Sequence, residues 1–456
     1  MNNLKKMMLS AVGISFLLCG CGKKVAPADN SGIAIENSTA GSTESSQSES
    51  TSSDSTGISS EENTELTTSA QEGTTSVITE EASEQETTEG ETEEASENVQ
   101  KEEIPSSVEE LMEEMTLREK VCQMFIVTPE QLTGYGCVTY ADSVVQQSFM
   151  NTPVGGVILF SQNLTYQDQT SQLIASCQDY AADSCGAGIF VAVDEEGGTV
   201  ARAAEKLGTT AFSDMAYYGQ MNDPQQAYNI GSTIGSDLSA LGFNVDFAPV
   251  ADVNLNPGNE LGNRIFSSDP EVVSTMTANV VRGLQDQGVC ATLKHFPGLG
   301  AADGNTHNDN YVHIYKTIDE LRQAEFVAFS GGIEAGADFV MVGHQKVSGV
   351  GADLPADLSY TVVTTLLREE LGFQGIAVTD AQQMNTIAGV YGSGDAAVRS
   401  VEAGIDIILM PADLNAAVDA ICYAVEEGRL TEERIDESVV RILNQKAELG
   451  LLDIQE

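Results

Sequence analysis

Two histidines and a lysine share one short stretch of this chain. It reads Lys294-His295-Phe296-Pro297-Gly298-Leu299-Gly300 and continues through Asp303, Gly304, Asn305 and Thr306 to His307. The chain has four histidines in all, so half of its ordinary near-neutral titrating groups lie here. The apolar run Gly288-Val-Cys-Ala-Thr-Leu293 precedes them, so a buried strand delivers a Lys-His pair into a glycine-rich turn. Pro297 and the glycines let the backbone turn sharply and leave a mobile arm that carries His307. Asp380 is the second chemical candidate. It follows Gly375-Ile-Ala-Val-Thr379 directly and precedes Ala381-Gln-Gln-Met384, which reads as a helix start. A carboxylate at such a junction is rigid, and N–H groups of the helix start keep it ionised. Its bland reading is a helix N-cap. A carboxylate nucleophile paired with a proton donor is the usual apparatus for breaking a glycosidic bond with retention.

These groups need a scaffold that brings distant residues together. From residue 106 onward, apolar runs alternate with helical patterns, which means a parallel α/β architecture. The predicted strands are Gln123–Val127, Gly155–Phe160, Gly188–Val193, Phe243–Pro249, Val289–Leu293, Phe339–Val342, Gly375–Thr379 and Ile405–Met410. Eight strands close a (β/α)8 barrel, and residues 106–456 are long enough for one with generous loops. Barrel chemistry sits at the carboxyl ends of the strands. Those ends carry Asp194, Glu195 and Glu196, then Asp252 and Asn254, Lys294 and His295, His344, Asp380 and Asp413. Ionisable groups this dense favour catalysis over a plain scaffold. No GxGxxG, GxxxxGK[ST] or GxSxG pattern is present, so nucleotide cofactors and a serine nucleophile lack support. The histidines lack helical ligand spacing, so no metal and no other cofactor is expected.

The formal net charge of −48 argues against nucleic acid as a partner and against adhesion to anionic surfaces. Residues 1–20 read as an export signal, with Lys5 and Lys6 ahead of the apolar run Met7 to Leu18. Leu18-Cys19-Gly20-Cys21 resembles a bacterial lipobox in which Cys21 is lipidated, giving a membrane anchor without a spanning helix. Residues 21–105 are rich in Ser, Thr and Glu and read as a disordered tether. The expected location is therefore extracytoplasmic, lipid-anchored at the outer face of the cell membrane, as a monomer. Six cysteines follow Cys21. None has metal-type spacing, and a bridge between Cys177 and Cys185 is open in an exported chain.

From about Thr116 to the C-terminus the residues resemble glycoside hydrolase family 3, specifically its single-domain β-N-acetylglucosaminidase branch. Asp194-Glu-Glu-Gly-Gly-Thr-Val-Ala-Arg202 looks like the family's DxEGGxVxR. The resemblance continues in order through Asn244 to Asn254, Gly262-Asn-Arg264-Ile-Phe266 with Asp269-Pro270, Lys294 to Gly298, Thr379-Asp380, and Gly428 to Glu437. It implies that Asp380 is the nucleophile of a retaining exo-β-N-acetylglucosaminidase. His307 matches the acid/base that this branch carries on a loop after the fifth strand. Asp194, Arg202, Arg264, Lys294 and His295 match the residues that hold the terminal sugar of a glycan substrate, such as a cell-wall fragment. Charged donors suit a ligand that offers oxygens. The bland alternatives are structural salt bridges for Arg202 and Arg264, and a buried Lys294 partnered by Asp194 or Asp252.

The chain departs from the family at two points. The family's loop has an aspartate two residues before the histidine, and here that position is Asn305. An asparagine can hold the ring through its carbonyl oxygen but brings no charge, which makes His307 a poorer acid. Leu299 stands where the family usually has another histidine. The sequence therefore leaves three alternatives: a β-glucosidase, a β-glycoside phosphorylase of the same fold, or a catalytically weak glycan-binding lipoprotein.

Overall fold

The computed structural model describes residues 107–350 and 354–452. The leader, Cys21 and the tether of residues 21–105 lie outside the described residues.

Eight short parallel strands form the central sheet: β1 Phe125–Val127, β2 Gly156–Ile158, β3 Phe190–Val193, β4 Val245–Asp246, β5 Cys290–Phe296, β6 Phe339–Val342, β7 Ile376–Thr379 and β8 Ile408–Leu409. Neighbours in sequence pair from β1 to β7, β8 pairs with β1, and a bridge between Val378 and Ile407 closes the ring. All eight predicted strands are present. The strands are buried on both faces, which is why they read as unbroken apolar runs rather than alternating ones. Inside the ring, side chains fill the space, with Phe190 edge-on to Phe339 at a centroid distance of 5.3 Å.

A helix follows each strand: α1 Ser143–Asn151, α2 Gln167–Cys185, α3 Pro224–Leu241, α4 Pro270–Gln285, α5 Glu325–Glu334, α6 Thr361–Glu370, α7 Ser393–Ala403 and α8 Leu414–Glu426. Their starts are written in the sequence. Asp269 accepts from Glu271 N–H at 3.1 Å ahead of Pro270, a cap followed by a proline that needs no N–H. Asp413 accepts from Ala416 N–H at 3.0 Å, so it caps α8 and is not part of the catalytic rim. The final helix, Glu432–Glu448, closes the opposite end of the barrel. There Lys446 donates to Gln123 Oε1 at 2.6 Å, and burial pushes its ammonium down to about 8. Cys177 and Cys185 are free thiols on α2. Eight residues along a helix separate them by about 12 Å, beyond the reach of a disulfide.

The β5–β6 pairing positions the chemistry. Met341 pairs with Lys294 and Val342 with Phe296, so His295 is an extra residue on β5. In a regular strand Lys294 and His295 would face opposite sides. Here the strand is irregular, with the register shift and a cis peptide between Lys294 and His295, and both side chains line the same cavity. The following glycines serve close packing more than mobility. A Cβ on Gly300 would lie 2.1 Å from the Val253 carbonyl oxygen, and one on Gly298, at φ +129°, would lie 2.3 Å from Glu325 Cγ. Gly300→Ala is therefore expected to destabilise the fold by about 1–3 kcal/mol, measured as a lower denaturant midpoint at unchanged slope.

Candidate active site

A cavity of about 670 Å³ opens at the carboxyl ends of the strands. Asp194, Arg202, Arg264, Lys294, His295, His307 and Asp380 all line it, although they come from the end of β5 and from separate segments after other strands. Asn305 does not line it. Leu299, at the family's histidine position, contributes an apolar side chain to the wall.

The floor of the cavity is an ion cluster. Lys294 Nζ lies 2.6 Å from Glu196 and 3.0 Å from Asp194. Arg264 donates to both oxygens of Glu196, each at 2.7 Å. Burial opposes the charge of Glu196, but the cations win there and hold its carboxyl down at about 2. Burial likewise works against the Lys294 ammonium, and Glu196 and Asp194 overcome it and raise its pKa. The paired reading of Lys294 and Arg264 is thus realised without removing either from the cavity wall. Arg202 differs. Its guanidinium carbon lies 5.9 Å from the centre of the Phe160 ring, and its buried Nε has no hydrogen-bond partner among the described residues. A buried donor without a partner is costly, and a ligand oxygen in the cavity would relieve it.

Asp252 organises the turn after β5. It accepts from the His295 backbone N–H at 3.0 Å, from Leu299 N–H at 2.5 Å and from Gly300 N–H at 3.3 Å. Its Oδ2 also lies 2.8 Å from His295 Nδ1. This contact places the donor at Nδ1 and leaves Nε2 for another partner.

Asp380 follows β7, as predicted, but no helix starts behind it. The next helical residues are Asn385–Ala388, so the N-cap reading fails. Its Oδ1 accepts from the adjacent Ala381 N–H at 2.7 Å. Burial would raise the Asp380 carboxyl. Neighbouring His344, His295 and Lys294, together with the Ala381 N–H, overcome that effect and hold it below the ordinary carboxylate range. His344 was visible in the sequence as a rim residue without an assigned role. Its Nε2 donates to the Ala381 carbonyl at 3.0 Å, and its Nδ1 makes an ion contact with Asp357 at 3.2 Å. Both ring nitrogens therefore face acceptors. Burial lowers the imidazole, but Asp357 and then Asp380 raise it to about 9. Asp357 itself escaped the sequence reading, because it lies in a single 3-10 turn, Ala356–Leu358, too short to give a periodic signal.

His307 rides on the predicted arm, which is pinned at its base by pairing of Ala302–Asp303 with His313–Ile314. The Asn305 carbonyl oxygen accepts from the His307 and Asn308 backbone N–H groups, each at 3.1 Å, and from Asn308 Nδ2 at 2.9 Å. It is committed to the turn, so it does not hold the His307 ring as expected. Among the described residues no cluster of three histidine, cysteine or carboxylate side chains has metal-ligand geometry.

The glycosyl hydrolase family 3 N-terminal domain matches residues 116–445. A β-hexosaminidase A from Pseudoalteromonas piscicida is 34% identical over 325 residues, which cover 65% of this chain and 54% of that protein. A β-hexosaminidase from Stenotrophomonas maltophilia is 35% identical over 309 residues, covering 66% of this chain and 84% of that one. Among solved structures, a family 3 β-N-acetylglucosaminidase from Paenibacillus sp. superposes with a TM-score of 0.69 at 38% identity, covering 74% of this chain and 63% of its own. A β-N-acetylhexosaminidase from Beutenbergia cavernae gives 0.66 at 30% identity, covering 73% and 99%. The chain thus spans about half the length of the first relative and nearly all of the last.

His344 carries a pH expectation. Its imidazole rises from 6.5 to about 9 on folding, so its stabilising share is complete below 6.5 and is lost as pH climbs through about 9. Glu195, which burial lifts to about 7, weakens stability over a lower range. Thermal unfolding between pH 7 and 9 should therefore show a decline that the neutral pair His344→Gln with Asp357→Asn lacks.

Proposed function

The chain belongs to glycosyl hydrolase family 3, and from that premise we propose that it removes non-reducing terminal β-linked N-acetylglucosamine from cell-wall fragments or related glycosides, with retention. The observation that carries the reading is Asp380, held ionised in a cavity whose floor carries the paired charges of Lys294, Arg264, Asp194 and Glu196. The names of the relatives support the same sugar preference.

In the first step the Asp380 carboxylate attacks the anomeric carbon. The glycosidic C–O bond breaks, and His307 gives its proton to the departing oxygen. In the second step His307 takes a proton from water, the hydroxide attacks the same carbon, and the Asp380 ester is released. The Lys294, Arg264, Asp194 and Glu196 cluster is pre-paired, so it can hold sugar hydroxyls without rearrangement as charge develops. Arg202, with its unpartnered buried Nε, is our assignment for the N-acetyl carbonyl or an adjacent hydroxyl. The leader and lipobox extend the proposal to an anchored enzyme at the outer face of the membrane, bearing its lipid on Cys21. Metabolic labelling with a tritiated fatty acid, present in the natural chain and lost in Cys21→Ala, would support that part.

The direct assay is release of nitrophenol from an aryl N-acetyl-β-glucosaminide, run beside the corresponding β-glucoside. The expected result is preference for the former, a β-configured first product by NMR, and a loss of at least about a thousandfold in kcat for Asp380→Asn. Turnover no higher than that of the Asp380→Asn control would overturn the proposal.

A further inference from the structure

The arm that brings His307 to the cavity has one buried residue between positions 303 and 311, Thr306, which is 3% exposed. Its neighbour His307 is exposed to the cavity. What holds Thr306 comes from the loop after β4. Glu260 accepts from Thr306 N–H at 3.1 Å and from the Thr306 hydroxyl at 2.9 Å with one oxygen, and its second oxygen lies 3.3 Å from the same N–H. Four carboxylates line the cavity: Asp194, Glu196, Glu260 and Asp380. Among the described residues, Glu260 is the one of these with a hydrogen bond to the arm. Other supports come from the helix Asn385–Ala388. Asn385 Nδ2 donates to Asn310 Oδ1 at 2.6 Å, on the far side of His307, while Thr386 Oγ1 reaches the Thr306 carbonyl and Asn385 Nδ2 the Asn308 carbonyl only at 3.4 Å.

The tip beyond Thr306 is internally braced. Asn305 caps the backbone of His307 and Asn308, and Asp309 accepts from Asn305 N–H at 2.8 Å. A braced tip moves as a unit, so the contact that fixes Thr306 also fixes the distance of the imidazole from the bond being broken. Charge-assisted hydrogen bonds to a backbone N–H and a hydroxyl are strong enough for that task.

We propose that Glu260 is a positioning residue for proton transfer: by clasping Thr306 it seats His307 for donation to the leaving oxygen. The inference rests on the acid role given to His307 above. It replaces the charged partner that Asn305 does not supply with an anchor of different geometry, acting on the backbone of the arm and not on the ring.

A proton donor matters most when the leaving group is poor, because a dinitrophenolate departs without one. The test compares kcat/KM, which covers steps only through bond cleavage, for a dinitrophenyl and an alkyl N-acetyl-β-glucosaminide. Glu260→Ala should lose on the order of tenfold more on the alkyl substrate than on the dinitrophenyl one, since misplacing a catalytic group has that scale of effect. Glu260→Gln keeps an oxygen acceptor for Thr306 and should recover much of that difference. Equal losses on both substrates, or no loss on either, would overturn the role of Glu260, and so would a Glu260→Gln variant with the same leaving-group bias as Glu260→Ala. A natural chain that turns over neither substrate would instead refute the glycosidase reading, and the role of Glu260 with it. An unfolding midpoint for each variant separates misfolding from loss of position.

Discussion

A buried lysine is the constraint around which this site is built. Lys294 is 2% exposed, and an ammonium taken out of water at that depth is tolerable only when opposite charges meet it. Glu196 and Asp194 do so from the loop after β3, and Arg264 braces Glu196 from the loop after β4. The pairing ties two loops to the end of β5, and each partner left alone would be an uncompensated buried charge. That mutual dependence makes the floor rigid. Its field also reaches Asp380.

A second layer of buried charge works in the same way on the other side of the cavity. Asp357 holds His344 charged, and His344 in turn favours the ionised form of Asp380. Asp380 therefore owes its ionised state to neighbours it does not touch covalently and to one N–H of the adjacent residue. Asp252 plays the matching structural part for His295, gathering the backbone N–H groups of His295, Leu299 and Gly300. Two other acids show the opposite outcome. Glu325 and Asp246 are fully buried and, among the described residues, form no ion pair, and burial carries both well above the ordinary carboxylate range.

Most of this was legible in the chain because the barrel repeats a simple signal. Each strand is a short apolar run ending in a polar residue, so the order of runs gave the fold and their ends gave the rim, including Asp194, Lys294, His295 and Asp380. What the pattern could not reveal lies where backbone geometry departs from the repeat. The irregularity of β5 at Lys294 and His295 leaves no trace in residue types. Asp357 sits in a single 3-10 turn and Glu260 in a loop, where nothing periodic distinguishes a buried partner from a solvated acid. The helix expected behind Asp380 failed because Ala381 to Met384 have helical composition, but the first of them is drawn into a contact with His344. The glycines of the Lys294 stretch signalled a turn correctly, while the close approach of Gly300 to Val253 depends on a loop remote in sequence.

The central claim is that Asp380 is an ionised nucleophile that forms a covalent bond to sugar carbon. The most direct measurement is the intact mass of the protein after reaction with an activated fluorinated N-acetylglucosaminide, whose glycosyl-enzyme hydrolyses slowly. The account predicts one added glycosyl unit, recovered on the peptide that contains Asp380. An unmodified protein that nonetheless turns over the aryl substrate, or a label on any other residue, would contradict it.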